Sequence, residues 1–122
     1  MKVAINSCYG GFSLSDEAFE KLLTRMGIEF VKVEDMEYKS LGITHYYRKG
    51  MVDKDEGYLS HYDFTNNNRA SEDLIAVIEE LGEAANGRCA DIKIVEVPDD
   101  VRWTIEEYDG NEWVAEVHRT WS

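Results

Sequence analysis

A chain of 122 residues has room for one core, so a single domain spanning residues 1–122 is expected. Its 43% hydrophobic content argues against disorder, and no apolar run reaches the roughly 18 residues that cross a bilayer. Thirteen Lys/Arg against 25 Asp/Glu give a net charge of −12, of which residues 62–122, with 5 basic and 15 acidic side chains, carry −10. Such a surface repels nucleic-acid phosphate and anionic lipid, so neither a nucleic-acid polymer nor a membrane is an expected partner.

The opening residues, Met1–Asn6, lack the apolar stretch of a signal peptide and read as a first strand. A glycine-containing loop, Cys8–Phe12, follows. Ser13 or Ser15 can cap the next helix, with Asp16 and Glu17 in its first turn and Phe19, Leu22, Leu23 and Met26 on one face; Gly27 stops it. Residues 28–34 read as a strand. Ile43–Arg48 and Tyr58–Phe64 are aromatic and partly alternating, which predicts a hairpin around the polar stretch Gly50–Gly57, and Asn66–Asn68 reads as a loop. A second helix starts after Ser71, its apolar face formed by Leu74, Ile75, Val77, Ile78 and Leu81, and ends or bends at Gly82. Ile92, Ile94 and Val95 mark a strand running to Pro98. Val101, Trp103 and Ile105 alternate with polar residues, Asp109-Gly110 predicts a tight turn, and Trp113, Ala115 and Val117 alternate on the return. The expected fold class is α+β: two helices packed on a mainly antiparallel sheet.

Two cysteines, Cys8 and Cys89, fit no metal spacing and are too few for a disulfide framework, which points to a reducing cytoplasm. Cys8 lies between a strand and a helix, where a thiolate gains N–H donors, but Leu14 stands where a phosphatase-like loop needs arginine, so Cys8 reads as a small packed hydrophobe. The Tyr9–Ser13 loop matches no phosphate-binding fingerprint, although its amides could face an anion. His45, His61 and Asp63 lack a local ligand motif, so hydrogen-bonded histidines are the default and no metal or cofactor is expected. Tyr38, Tyr46, Tyr47, Tyr58 and Tyr62 cluster in sequence, suiting either a stacking platform or a half-buried sheet face.

The C-terminal half combines guanidinium forks suited to phosphate with large rings suited to a base. Arg69, just before the second helix, Arg102 and Arg119 are the candidate phosphate ligands. Tyr108, Trp113 and Trp121 are the candidate stacking partners, with His118 beside them, and Trp103 belongs to the same segment. The competing reading is that each arginine neutralises a neighbouring carboxylate.

Several segments together are similar to one family: Lys2–Phe12 (KVAINSCYGGF), Glu79–Gly82 with Ala85–Gly87, Lys93–Asp100 (KIVEVPDD), and Glu106–Gly110 (EEYDG) running to His118–Trp121 (HRTW). They resemble small proteins encoded in bacteriophage and prophage genomes, over about residues 1–27 and 66–121. The resemblance implies the cytoplasm of an infected bacterium and a role against host defence. By size and origin the chain is more loosely similar to phage sponge proteins of the Thoeris and CBASS anti-defence type. These bind cyclic nucleotide immune signals in pockets of an oligomer without degrading them, which implies a non-enzymatic homo-oligomer with a small nucleotide ligand. Two alternatives stay open: an acidic inhibitor that mimics nucleic acid toward a basic host defence protein, and a nucleotide-processing enzyme using Cys8 or His118.

Overall fold

The computed structural model describes residues 1–34, 44–52, 54–65 and 68–117. The fold is α+β. Among the described residues it has strands β1 (Lys2–Asn6), β2 (Phe30–Glu34), β3 (Thr44–Arg48), β4 (Ile92–Glu96), β5 (Trp103–Tyr108) and β6 (Asn111–Glu116). The helices are α1 (Asp16–Arg25), α2 (His61–Thr65) and α3 (Glu72–Leu81). No described helix is long and apolar enough to cross a membrane.

Both long helices begin where a serine replaces the missing backbone acceptor. Ser15 accepts from the Ala18 amide at the start of α1, and Ser71 from the Leu74 amide at the start of α3. Acidic residues follow in both first turns, favourable against the positive end of the helix dipole. Gly27 and Gly82 close the two helices with positive φ (75° and 57°). Met26, expected on the buried face, falls after the last helical residue and is exposed.

The six strands pair as three separate two-stranded antiparallel sheets, β1–β4, β2–β3 and β5–β6, rather than as one sheet. The reason lies at the free edge of β1. There the Ala4 amide donates to the Arg69 carbonyl (2.8 Å) and the Asn6 amide to the Glu112 carboxylate (2.8 Å), so a turn and a side chain occupy the bonds a third strand would use. The β5–β6 hairpin packs face-on instead. Val3 and Ile5 of β1 bury against Trp103, Ile105 and Val114, with Val95, Val97 and Ala70 beside them.

On the opposite face of the β1–β4 sheet, Ala4 packs with Ala18 and Leu22 of α1 and with Leu74, Ile75, Val77 and Ile78 of α3. A further cluster joins Phe19 and Leu23 of α1 to Tyr46 and Leu59. The layers run helices, β1–β4 sheet, β5–β6 hairpin, with β2–β3 on the flank of α1.

Residues 58–64 depart from the expected second hairpin strand. Tyr58 makes one isolated bridge to Tyr47, and the chain then turns into α2. Side chains hold the turn: the Thr65 hydroxyl donates to the His61 carbonyl (2.8 Å) and the Asn68 amide group to the Phe64 carbonyl (3.4 Å). The helical turn sends Phe64 into both helix-side clusters and lays the His61 ring on Phe19 (3.9 Å between centroids), contacts that alternation cannot supply. The start of the expected strand at Ile43, together with Tyr38, Asn66 and Asn67, lies outside the described residues.

Candidate functional site

Two of the segments singled out in the sequence, Lys2–Phe12 and Glu106–Gly110, meet in space. Asn6, fully buried, donates through its side-chain amide to the carbonyls of Cys8 (2.6 Å) and Gly110 (2.8 Å), while its side-chain oxygen accepts from the Asp91 amide (2.8 Å). One side chain thereby ties the end of β1, the Cys8–Phe12 loop, the start of β4 and the β5–β6 turn.

Asp109 and Gly110 both take positive φ (53° and 89°), as a two-residue hairpin turn requires. The turn presses so closely on the loop that a Cβ on Gly110 would strike the amide nitrogens of Gly11 and, at 2.7 Å, Gly10. Gly10 spends its N–H on the Asp109 carbonyl (3.2 Å). That donor of the glycine loop therefore serves the turn rather than an anion.

Arg69 is the second fastener. Only 8% exposed, it donates from Nε to the Thr65 carbonyl (3.1 Å) and from Nη1 to the Ala4 carbonyl (3.3 Å). Its fork grips both oxygens of Glu112, at 2.6 and 2.9 Å, and its guanidinium carbon lies 3.8 Å from the centre of the Phe12 ring. Expected to meet phosphate, Arg69 instead spends four of its five N–H donors on protein. Charge compensation inside a low-dielectric interior demands such a partner, and Glu112 lies 43 residues away in sequence.

Arg102, Tyr108 and Trp113 lie elsewhere. On the hairpin, Trp103, Ile105 and Glu107 pair across with Glu116, Val114 and Glu112, which defines the inner face. Alternation puts Tyr108 (72% exposed) and Trp113 (43% exposed) on the outer face. Arg102, exposed and next to β5, follows the same parity. The hairpin thus separates these three from Arg69, and no niche joins all four. His118, Arg119 and Trp121 lie outside the described residues.

Beside the Arg69–Glu112 pair opens a cleft of about 870 Å³, within the range of small-molecule sites. Phe12 and Ser13 bound it from the loop before α1, His61, Tyr62 and Thr65 from α2, and Trp103, Ile105 and Glu107 from the inner face of β5. Sequence reading named Arg69, Tyr62 and Trp103 as candidates but did not bring this set together. Ile105 read only as part of an alternating strand, Phe12 as part of a glycine-containing loop, and α2 as a strand. The one available signal was the shared parity of Trp103, Ile105 and Glu107 around a turn that sets Glu107 opposite Glu112.

Burial holds the His61 imidazole below its ordinary 6.5, outweighing the Asp16 carboxylate 3.9 Å from Nε2, so the ring is neutral at pH 7. His45 meets the Tyr58 hydroxyl (3.3 Å), and among the described residues no three His, Cys, Asp or Glu side chains gather as a metal site. The tyrosines divide: Tyr46 is core and donates to Glu20 (3.1 Å), Tyr47 and Tyr58 pack edge to face, and Tyr62 is exposed at the cleft. Cys8 and Cys89 are free and exposed, so Cys8 is no packed hydrophobe; its loop is turned outward by the Asn6 contacts. Comparison of the chain with known protein families, curated proteins and solved structures finds no match.

Proposed function

We propose that the protein binds a small nucleotide in the cleft between Phe12, Tyr62 and Trp103 and holds it without cleaving it. In a phage-encoded protein acting in the bacterial cytoplasm, that amounts to withdrawing a cyclic nucleotide signal from host defence. The observation that carries the reading is an aromatic-walled cleft of about 870 Å³ built on a neutralised, fully bonded Arg69–Glu112 pair. Aromatic rings favour a planar base, and the ring end of the ligand, not its phosphate, faces the cleft because the Arg69 guanidinium is already neutralised by the Glu112 carboxylate.

Two base–aromatic stacks at ~1–3 kcal/mol each and two hydrogen bonds to charged groups at ~1.5–3 each sum to ~5–12 kcal/mol. Nanomolar binding needs ~12 kcal/mol net, so one protomer binds at micromolar level and a second copy closing the mouth is what tightens it. The −12 body charge opposes the ligand's phosphates only weakly, because salt screens charges beyond ~8 Å.

The test is to dialyse purified protein against cyclic nucleotides, denature it by heat and identify what is released by mass spectrometry. Intact nucleotide in amounts stoichiometric with chain is expected. An altered product makes the protein an enzyme, and no uptake refutes the reading. A second reading, an acidic inhibitor of a basic host protein, draws support from Tyr108 and Trp113, which stand exposed on the outer hairpin face beside Glu106. It requires binding to a basic protein that weakens steeply with salt.

A further inference from the structure

We infer that Glu107 makes the cleft selective for guanine-type bases: planar rings that present two adjacent N–H donors on one edge. The inference rests on the nucleotide reading above and names which nucleotide. Glu107 and Glu112 stand directly opposite each other on the inner face of the hairpin, a like-charge pair that destabilises a ladder unless something neutralises it. Glu112 is neutralised, with both oxygens on the Arg69 fork and one also accepting the Asn6 amide. Glu107 is not. Among the described residues no hydrogen bond or ion pair reaches its carboxylate, although it borders the same cleft.

The surroundings leave Glu107 as the unmatched charge. Arg69 is spent on Glu112, Thr65 and Ala4, and the neighbouring His61 is uncharged at neutral pH. The cleft therefore has aromatic walls and, at its rim, one exposed carboxylate whose oxygens no protein donor occupies among the described residues. A carboxylate is acceptor-only with two parallel oxygens. Guanine offers N1–H and N2–H side by side and satisfies both. Adenine, cytosine and uracil set a donor next to an acceptor, and the acceptor faces the second oxygen unfavourably. Trp103 is the aromatic wall on the same strand face, two pairs along from Glu107, and supplies the ring on which such a base stacks.

The experiment titrates the whole protein with GMP, IMP and AMP at pH 7, by calorimetry, for the native sequence and for Glu107→Gln. Glu107 is exposed and lacks a partner, so the variant folds; circular dichroism checks it. A matched bidentate pair discriminates by about 10- to 100-fold, so GMP is expected to bind that much tighter than AMP, with IMP, which keeps only N1–H, between them. Glutamine offers one acceptor and one donor, the complement of adenine's edge, so Glu107→Gln should erase the guanine preference and favour AMP. Equal binding of all three nucleotides, or a guanine preference unchanged in Glu107→Gln, overturns the inference and leaves nucleotide binding standing. No binding of any nucleotide overturns both.

Discussion

Replacing Glu112 by alanine strands a buried cation. The Arg69 guanidinium loses two hydrogen bonds of 2.6 and 2.9 Å while remaining under the hairpin, and the Asn6 amide at the β1 edge loses its acceptor. Breaking one side of a buried pair costs about 3–5 kcal/mol, and an orphaned buried amide adds about 1–3. Against a total stability of about 5–15 kcal/mol, Glu112→Ala removes roughly a third or more. At about 4 °C per kcal/mol for a chain of this size, the midpoint falls by about 15–30 °C.

Urea denaturation followed by circular dichroism measures it. The double variant Arg69→Met/Glu112→Leu should regain part of the loss, since an apolar pair carries no desolvation penalty; the Asn6 amide and the Ala4 carbonyl at the β1 edge stay unmet. A Glu112→Ala loss below about 1 kcal/mol, or strictly additive single and double variants, refutes the claim that this pair fastens the hairpin to β1.

Gly110→Ala adds a methyl group where the backbone nitrogens of Gly10 and Gly11 already sit and where φ is 89°, so it should cost at least about 2 kcal/mol and pry the turn off the loop. A Gly110→Ala thermal midpoint within 2 °C of the native one, about half a kcal/mol, contradicts that packing. His61 titrates at 6.5 when unfolded and lower when folded, so its contribution is whole above pH 6.5 and declines as pH falls toward the folded value. Denaturation midpoints from pH 7.5 to 5 should fall less in His61→Phe than in the native chain; parallel curves remove the buried-imidazole account.

The parts legible in sequence were those fixed by local chemistry. A serine at 13 or 15 and Ser71 announced the helices because a side-chain acceptor there meets an unpaired amide, the structure choosing Ser15, and Asp109-Gly110 announced its hairpin because few residue pairs tolerate two positive φ values. Tyr58–Phe64 misled because its alternation is genuine, yet tertiary contacts to Phe19 override it. The site was less legible still. An arginine reads the same whether it awaits phosphate or grips a glutamate 43 residues on, and nothing between Arg69 and Glu112 encodes the encounter. The segments around Asn6 and Gly110 encode no chemistry that the sequence could reveal, and their contacts with one another are those of a clasp.

That clasp joins positions 104 residues apart, so keeping it closed ties the two ends of the chain into one unit. The cleft draws walls from the loop beside the clasp, from α2 and from the hairpin, and has no existence in any half-assembled form. Whatever occupies it must therefore stabilise the entire molecule rather than a loop: occupancy is coupled to global unfolding, and every tenfold excess over the dissociation constant deepens the native state by about 1.4 kcal/mol.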